Sequence, residues 1–461
     1  MTTRSRQTPC HGVFSSLSCG LLVACWLWAA APVQAQAPAP DPQAGEAAYR
    51  QSCARCHGDE GRGDGVDATR FYPRPRDLTT GVYKFRTTVS GTPPTDQDLL
   101  RTITEGLPGS NMPDWKHLDE ATRWQLVYYL KSLSPLFAQT APEPVAVATD
   151  PGSSHADRAK GKLLYEQLGC AACHGSSGRA SGTSAAGLVD DWGKPVRPAD
   201  LTKGWSLRGS PDARAIMLRV LTGIDGAGMP SYAGAVSPED AWQLAYYVAS
   251  LQEPPHWNLV THATRVTGTL PTASDDPRWV SAERTDVRLR QAVSPTGEWV
   301  YAPTVTSVAF QTLYNEEAVA FRIVWNDPTE DQGAAADRLA LLLRPPGAQG
   351  DVVTLQAWPS AGAPALDLCT WSAQTGQVTE AVADDFHSVP QAHGEPVPLK
   401  GAAQYADGRW TLVVQRALRP SSPPGAALLT SEAFNAAAFA VWDGAVPEAR
   451  AVSMWIDVVL Q

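Results

Sequence analysis

Cys53-Ala54-Arg55-Cys56-His57 recurs as Cys170-Ala171-Ala172-Cys173-His174, and no other stretch limits so tightly what the chain can fold around. Two cysteines three positions apart lie on one side of a helical turn, so both sulfurs can bond the vinyl groups of one haem while the following histidine ligates the iron. A zinc site or a thioredoxin-like redox pair would use the same C-x-x-C, but here each motif carries its histidine and sits in a larger repeat. His57 is followed 55 residues later by Met112, in Gly109-Ser110-Asn111-Met112-Pro113, and His174 is followed 55 residues later by Met229, in Gly226-Ala227-Gly228-Met229-Pro230. Each methionine precedes a matching apolar helix, Trp124-Gln125-Leu126-Val127-Tyr128-Tyr129-Leu130 and Trp242-Gln243-Leu244-Ala245-Tyr246-Tyr247-Val248. The chain therefore contains a tandem duplication with a period of 117 residues, read from Cys53 to Cys170, and is expected to hold two haems.

A methionine is by default a core filler. Only five occur in this chain, and two of them stand at the same place in both repeats, in Gly-rich loops closed by proline. Each repeat resembles a class I, mono-haem cytochrome c, over residues 43–135 and 157–252. The resemblance implies two all-α domains, each with a haem c held covalently, by Cys53 and Cys56 in one and Cys170 and Cys173 in the other. His57/Met112 and His174/Met229 would be the axial iron ligands. His/Met ligation fills both axial positions and raises the iron's potential, so such units carry electrons and perform no bond chemistry. A di-haem peroxidase would need one displaceable distal position, against which the paired methionines argue. Arg74-Pro75-Arg76-Asp77-Leu78-Thr79 is matched by Arg197-Pro198-Ala199-Asp200-Leu201-Thr202, and these arginines either reach haem propionates or are solvated.

The first residues read as an export signal. Arg4 and Arg6 precede an apolar run from Leu21 to Ala31 that gives way to Val33-Gln34-Ala35, the basic, apolar, small-residue order of a secretory leader over residues 1–35. Leu22-Val23-Ala24-Cys25 competes as a lipobox that would anchor Cys25. Either leader places the protein in the periplasm, and no other stretch has the roughly 20 apolar residues of a membrane span. Of eight cysteines, Cys10, Cys19 and Cys25 fall in the leader and four in the haem motifs. Cys369 is left, in an apolar run that predicts a buried, inert thiol. The formal charge of −10 excludes the clustered basic surface of a nucleic-acid binder and favours redox partner proteins with basic patches.

Residues 136–156 are rich in proline and small polar residues and predict a linker. From Trp257 the chain turns to short β-rich runs, among them 318–325, 410–416, 438–442 and 452–460, which predict an antiparallel sandwich over residues 258–461. From residue 258 onward 22 Asp and Glu stand against 13 Lys and Arg, so this region carries most of the acidity. The segments Val324-Trp325-Asn326-Asp327-Pro328-Thr329, Ala406-Asp407-Gly408-Arg409-Trp410 with Arg416, and Ala440-Val441-Trp442-Asp443-Gly444 followed by Ser453-Met454-Trp455 resemble the haem-b-binding γ subunit of ethylbenzene dehydrogenase. The resemblance implies an electron-transfer subunit of a molybdenum enzyme with a third haem, b-type, between a methionine and a lysine. Those ligands would fall near Pro359-Ser360-Ala361-Gly362 and Arg450, where neither residue type occurs. Met454 and Lys400 are the domain's only Met/Lys pair, and His262, His387 and His393 are the candidate substitutes as ligands, so the sandwich is expected to lack haem b or to bind it only weakly. A tryptophan-rich sandwich could also be a carbohydrate-binding module. The reading these features favour is a periplasmic di-haem electron carrier, not itself an enzyme, with a sandwich that docks partners.

Overall fold

A computed structural model describes residues 37–71, 73–191, 193, 196–291, 304–345, 365–383, 395–431, 434–444 and 450–460. The leader, with Cys10, Cys19 and Cys25, and the positions of His387, His393 and Pro359-Ser360-Ala361-Gly362 lie outside them. Residues Ala39–Gln461 form one compact unit, which is multidomain: two helical domains followed by a β-sandwich.

The first helical domain runs α1 (Pro42–Ser52), α2 (Ala54–His57), α3 (Asp96–Glu105), α4 (Glu120–Ser132) and α5 (Leu136–Gln139). The second runs α6 (Arg158–Gln167), α7 (Cys170–His174), α8 (Ala213–Thr222) and α9 (Pro238–Ser250). Side-chain oxygens start the long helices: Asp41, Thr95, Asp119, Asp157, Asp212 and Ser237 each accept from first-turn amides, satisfying donors that have no partner within the helix. In each domain the first and last long helices cross at a glycine. A Cβ on Gly45 would lie 2.5 Å from the Gln125 carbonyl oxygen, and one on Gly161 would lie 2.2 Å from that of Gln243, so only glycine lets the helices approach this closely. The cores close around Tyr49, Trp124 and Val127 in one domain and Tyr165, Trp242 and Leu244 in the other.

The linker is not a free tether. Part of it is α5, and beyond that Val89 N donates to Glu143 O (2.8 Å) and Val145 N to Thr87 O (2.9 Å). Trp242 Nε1 then donates to Ala148 O (3.0 Å) and Tyr246 Oη to Asp150 Oδ1 (2.8 Å). Proline removes amides but leaves carbonyls, and neighbouring amides and side chains of both domains use them.

The sandwich contains β1 (Val260–Arg265), β2 (Thr285–Gln291), β3 (Ser307–Tyr314), β4 (Ala318–Asn326), β5 (Arg338–Leu343), β6 (Leu366–Ser372), β7 (Val378–Ala383), β8 (Val397–Ala406), β9 (Arg409–Ala417), β10 (Asn435–Trp442), β11 (Arg450–Ser453) and β12 (Ile456–Leu460). Pairing runs β10-β11-β2-β3-β4-β9-β8-β7-β6-β5 and returns to β10, a flattened ring of antiparallel pairs. β1 departs from the antiparallel expectation by pairing in parallel with β12 and β3. The run expected over 452–460 is broken at Met454-Trp455, where Ser453 Oγ replaces the ladder by accepting from Phe439 N (2.9 Å). The interior is packed with Phe310, Phe321, Phe439 and the mutually contacting Trp325, Trp371 and Trp410. Met454 and Lys400 are exposed, and Arg450, where the resemblance would put a lysine, is buried in β11 with its proton affinity pushed down to about 10 by burial. Cys369 is buried, as expected, and its thiol is pushed up by burial. No helix of the described residues is long and apolar enough to cross a membrane.

Candidate haem sites

Cys53 caps α2 and Cys56 lies within it, with His57 as its last residue; Cys170 opens α7, which holds Cys173 and ends at His174. All four thiols are free, and burial pushes Cys53 up to about 12 and Cys170 up to about 11. Cys53 and Cys170 are therefore protonated at neutral pH, and no disulfide joins the cysteines of either pair. The motif helices are held by the same bond twice, Tyr49 Oη to Gly58 O (2.8 Å) and Tyr165 Oη to Gly175 O (2.7 Å).

The histidines are oriented identically. His57 Nδ1 lies 3.0 Å from Arg76 O and His174 Nδ1 lies 2.9 Å from Ala199 O. A carbonyl can only accept, so Nδ1 carries the proton and Nε2 keeps its lone pair for a metal. Burial lowers the proton affinity of both rings, which favours the neutral form that ligation needs. The residues present thus fit a c-type haem on the proximal side.

Met112 and Met229 lie in the loops between α3 and α4 and between α8 and α9. Each loop closes on itself, with Leu107 N donating to Met112 O (3.1 Å) and Ile224 N to Met229 O (2.9 Å), and then folds back on the helix before it, with Trp115 N donating to Ile103 O (3.1 Å) and Tyr232 N to Val220 O (3.0 Å). The turn that allows this is Gly106 (φ +67°) and Gly223 (φ +66°), where a Cβ would lie 2.7 Å and 2.9 Å from those carbonyl oxygens. Both side chains are part-buried. The sequence pattern marked the methionines but not these glycines, although each ends its helix six residues before the methionine.

The two domains meet through their methionine loops. Arg86, whose side chain is fully buried, pairs with Asp225 (2.7 Å) and donates to Thr222 O (2.9 Å), while Ser90 Oγ and Gly91 N also donate to Asp225. Reciprocally, Gly209 N donates to Pro108 O (3.0 Å). The sequence carries no sign of Arg86 or Asp225, since neither belongs to the repeat pattern.

The second domain is also joined to the sandwich. The β8–β9 turn Asp407-Gly408 accepts from Ser176, Ser177 and Arg179. Arg409 pairs with Glu253 (2.6 Å), and Asn326 Nδ2 donates to Asp200 (2.8 Å). Arg288 of β2 lies over both Trp205 and Trp257. Arg197, one of the arginines read as reaching propionates or solvated, pairs with Asp443 (3.2 Å). Of the substitutes considered for haem b, His262 is exposed beside Glu283.

Comparison with known proteins agrees with the helical half. Residues 40–130 match the family model for cytochrome c oxidase, cbb3-type, subunit III, and residues 158–252 match that for cytochrome c. No functionally curated protein matches. Among solved structures, a chain of a reducing HAO-like protein complex from Kuenenia stuttgartiensis is 41% identical over a match covering 47% of this chain and 100% of that one, with a TM-score of 0.45. A family 9 carbohydrate-binding module from Caldicellulosiruptor kristjanssonii in complex with glucose is 9% identical, covering 44% of this chain and 95% of that one, with a TM-score of 0.28. The N-terminal half of the chain consists of two tandem cytochrome c-type domains, which bind haem c and transfer electrons.

Proposed function

We propose that the protein is a periplasmic di-haem cytochrome c that relays electrons between redox partner proteins, with the sandwich as a docking domain. One haem is held by Cys53 and Cys56 with His57 and Met112 on its iron, the other by Cys170 and Cys173 with His174 and Met229. The observation that carries this reading is the repeated Nδ1-to-carbonyl bond, which presents Nε2 of both histidines in the ligating tautomer directly after a C-x-x-C pair. When bound, each haem supplies a one-electron iron couple. The protein's own work is to hold the imidazole neutral and aimed, to shape the methionine loop through Gly106 and Gly223, and to exclude water with the aromatic last helix. Arg76, whose proton affinity burial pushes down to about 10, would recover part of that desolvation beside an anionic propionate.

The protein should carry two covalent haems by intact mass. Its ferric form should show the weak methionine-to-iron charge-transfer band, which Met112→Ala and Met229→Ala each reduce by about half. A double variant with an unchanged spectrum would refute the ligand assignment. Acid-acetone should extract no stoichiometric haem, in keeping with a sandwich without haem b. An acidic docking surface also predicts that reduction by a basic partner slows as ionic strength rises.

A further inference from the structure

Three carboxylates from three strand ends converge inside the sandwich. Asp327 follows β4, Asp337 precedes β5 and Asp443 follows β10; the first two are 0% exposed and the third 2%. One oxygen from each lies within 4.8 Å of the others. Any two oxygens no farther apart than this can both reach one central ion at about 2.4 Å.

Convergence alone could be a cluster of protonated acids, but two further observations point to a ligand. Asp327 Oδ2 is buried and has no hydrogen-bond partner among the described residues, while Oδ1 receives Thr329 N (3.3 Å). An orphaned buried carboxylate oxygen is costly unless something electropositive occupies its lone pairs. The second observation is internal to this sandwich. At its other buried acidic site, Asp367 and Glu380 flank Arg416, which bonds both at 3.1 and 2.6 Å. Here the only donors to Asp327 and Asp337 among the described residues are neutral: Thr329 N to the first, and Asp331 N, Gly444 N and Trp410 Nε1 to the second. Arg197 reaches only Asp443, from the neighbouring domain.

We propose that Asp327, Asp337 and Asp443 bind a structural divalent cation of the calcium type. The donor set is all oxygen, which selects hard ions over zinc or copper. Burial of every ligand leaves little room for the waters that magnesium retains, whereas calcium accepts mixed mono- and bidentate carboxylates. The ion balances the charge of three strand ends at the end of the sandwich that carries Asp407 and touches the second cytochrome domain. It thereby sets the position of Asp443 for Arg197.

The test uses the full-length holoprotein, stripped with EDTA and titrated with terbium, which Trp410 on Asp337 is placed to sensitise. Saturable emission at about one terbium per chain, displaced by calcium well before magnesium and weakened about tenfold or more in Asp327→Asn with both haem spectra unchanged, is the expected result. Calcium alone should raise the wild-type unfolding midpoint, followed by tryptophan fluorescence, by about 5 °C at a hundredfold excess over its dissociation constant. This second measurement decides the matter if Asp327→Asn does not fold. Absence of saturable terbium emission, equal affinity in the variant, or a midpoint indifferent to calcium would overturn the site.

Discussion

The two cytochrome domains share the bonds that aim their histidines, yet they differ in how they reach their motifs and in what surrounds them. In the first, α1 runs directly into the motif, with Cys53 N donating to Tyr49 O. In the second, one extra residue, Gly169 at φ +74°, interrupts the path between α6 and Cys170. The residue after the motif loop that donates back to the histidine carbonyl is Gly63 in one and Ala180 in the other, both at positive φ. The first domain is bonded to the second; the second is clasped between the first domain and the sandwich. Duplication has kept the atoms that set ligand orientation, while local backbone and outward faces have diverged.

The largest test of this asymmetry removes one haem at a time. Cys170→Ser with Cys173→Ser should lose one covalent haem by mass and also loosen the sandwich, because the loop that receives Asp407 is built on that motif. Cys53→Ser with Cys56→Ser should lose one haem and leave the sandwich docked. Limited proteolysis around Pro254-Pro255 separates the two outcomes, and equal cleavage of both variants would show that the second domain holds its shape without haem.

Next in size is the joint between the domains. Arg86→Met strands Asp225 beside Ser90 and Gly91, and breaking a buried pair from one side costs about 3 kcal/mol. Denaturant unfolding followed at the two haems should split into separate transitions; a single transition with an unchanged midpoint would show that the interface couples nothing.

The smallest effect lies at the divergent loop residue. Ala180→Gly relieves a left-handed alanine and should stabilise the second domain by about 0.5–1 kcal/mol, while Gly63→Ala should destabilise the first by at least as much. The measurement is the midpoint shift of each variant, and shifts of the same sign would contradict the shared loop geometry.

What the sequence made legible follows from how local each signal is. The C-x-x-C-H motifs and the strands around Trp325 and Trp410 are patterns within a few residues, and helical turns and strands lie where they were expected; the 55-residue methionine spacing was legible only because the duplication repeats it. β8 was missed because Lys400-Gly401-Ala402-Ala403 lacks the β-branched residues that mark strands, although its side chains alternate between exposed and less exposed faces. The Arg86–Asp225 pair joins residues distant in sequence and typical of any surface. The three aspartates of the cation site each sit at a strand end, where aspartate is a common turn residue, so only the folded chain brings them together. The bonds of the linker were illegible for a related reason: composition reports that a segment cannot form a core, not whether neighbours use its carbonyls.

That strap has a kinetic consequence. With residues 143–150 bonded to both cytochrome domains, and Arg86 locked between them, the distance between the two domains is fixed when the chain folds. In the proposed relay, exchange between the two irons would then wait on no diffusive search, and its rate should be indifferent to the viscosity of the medium. Encounter with an outside partner, by contrast, would be a collision and would slow as the solvent thickens.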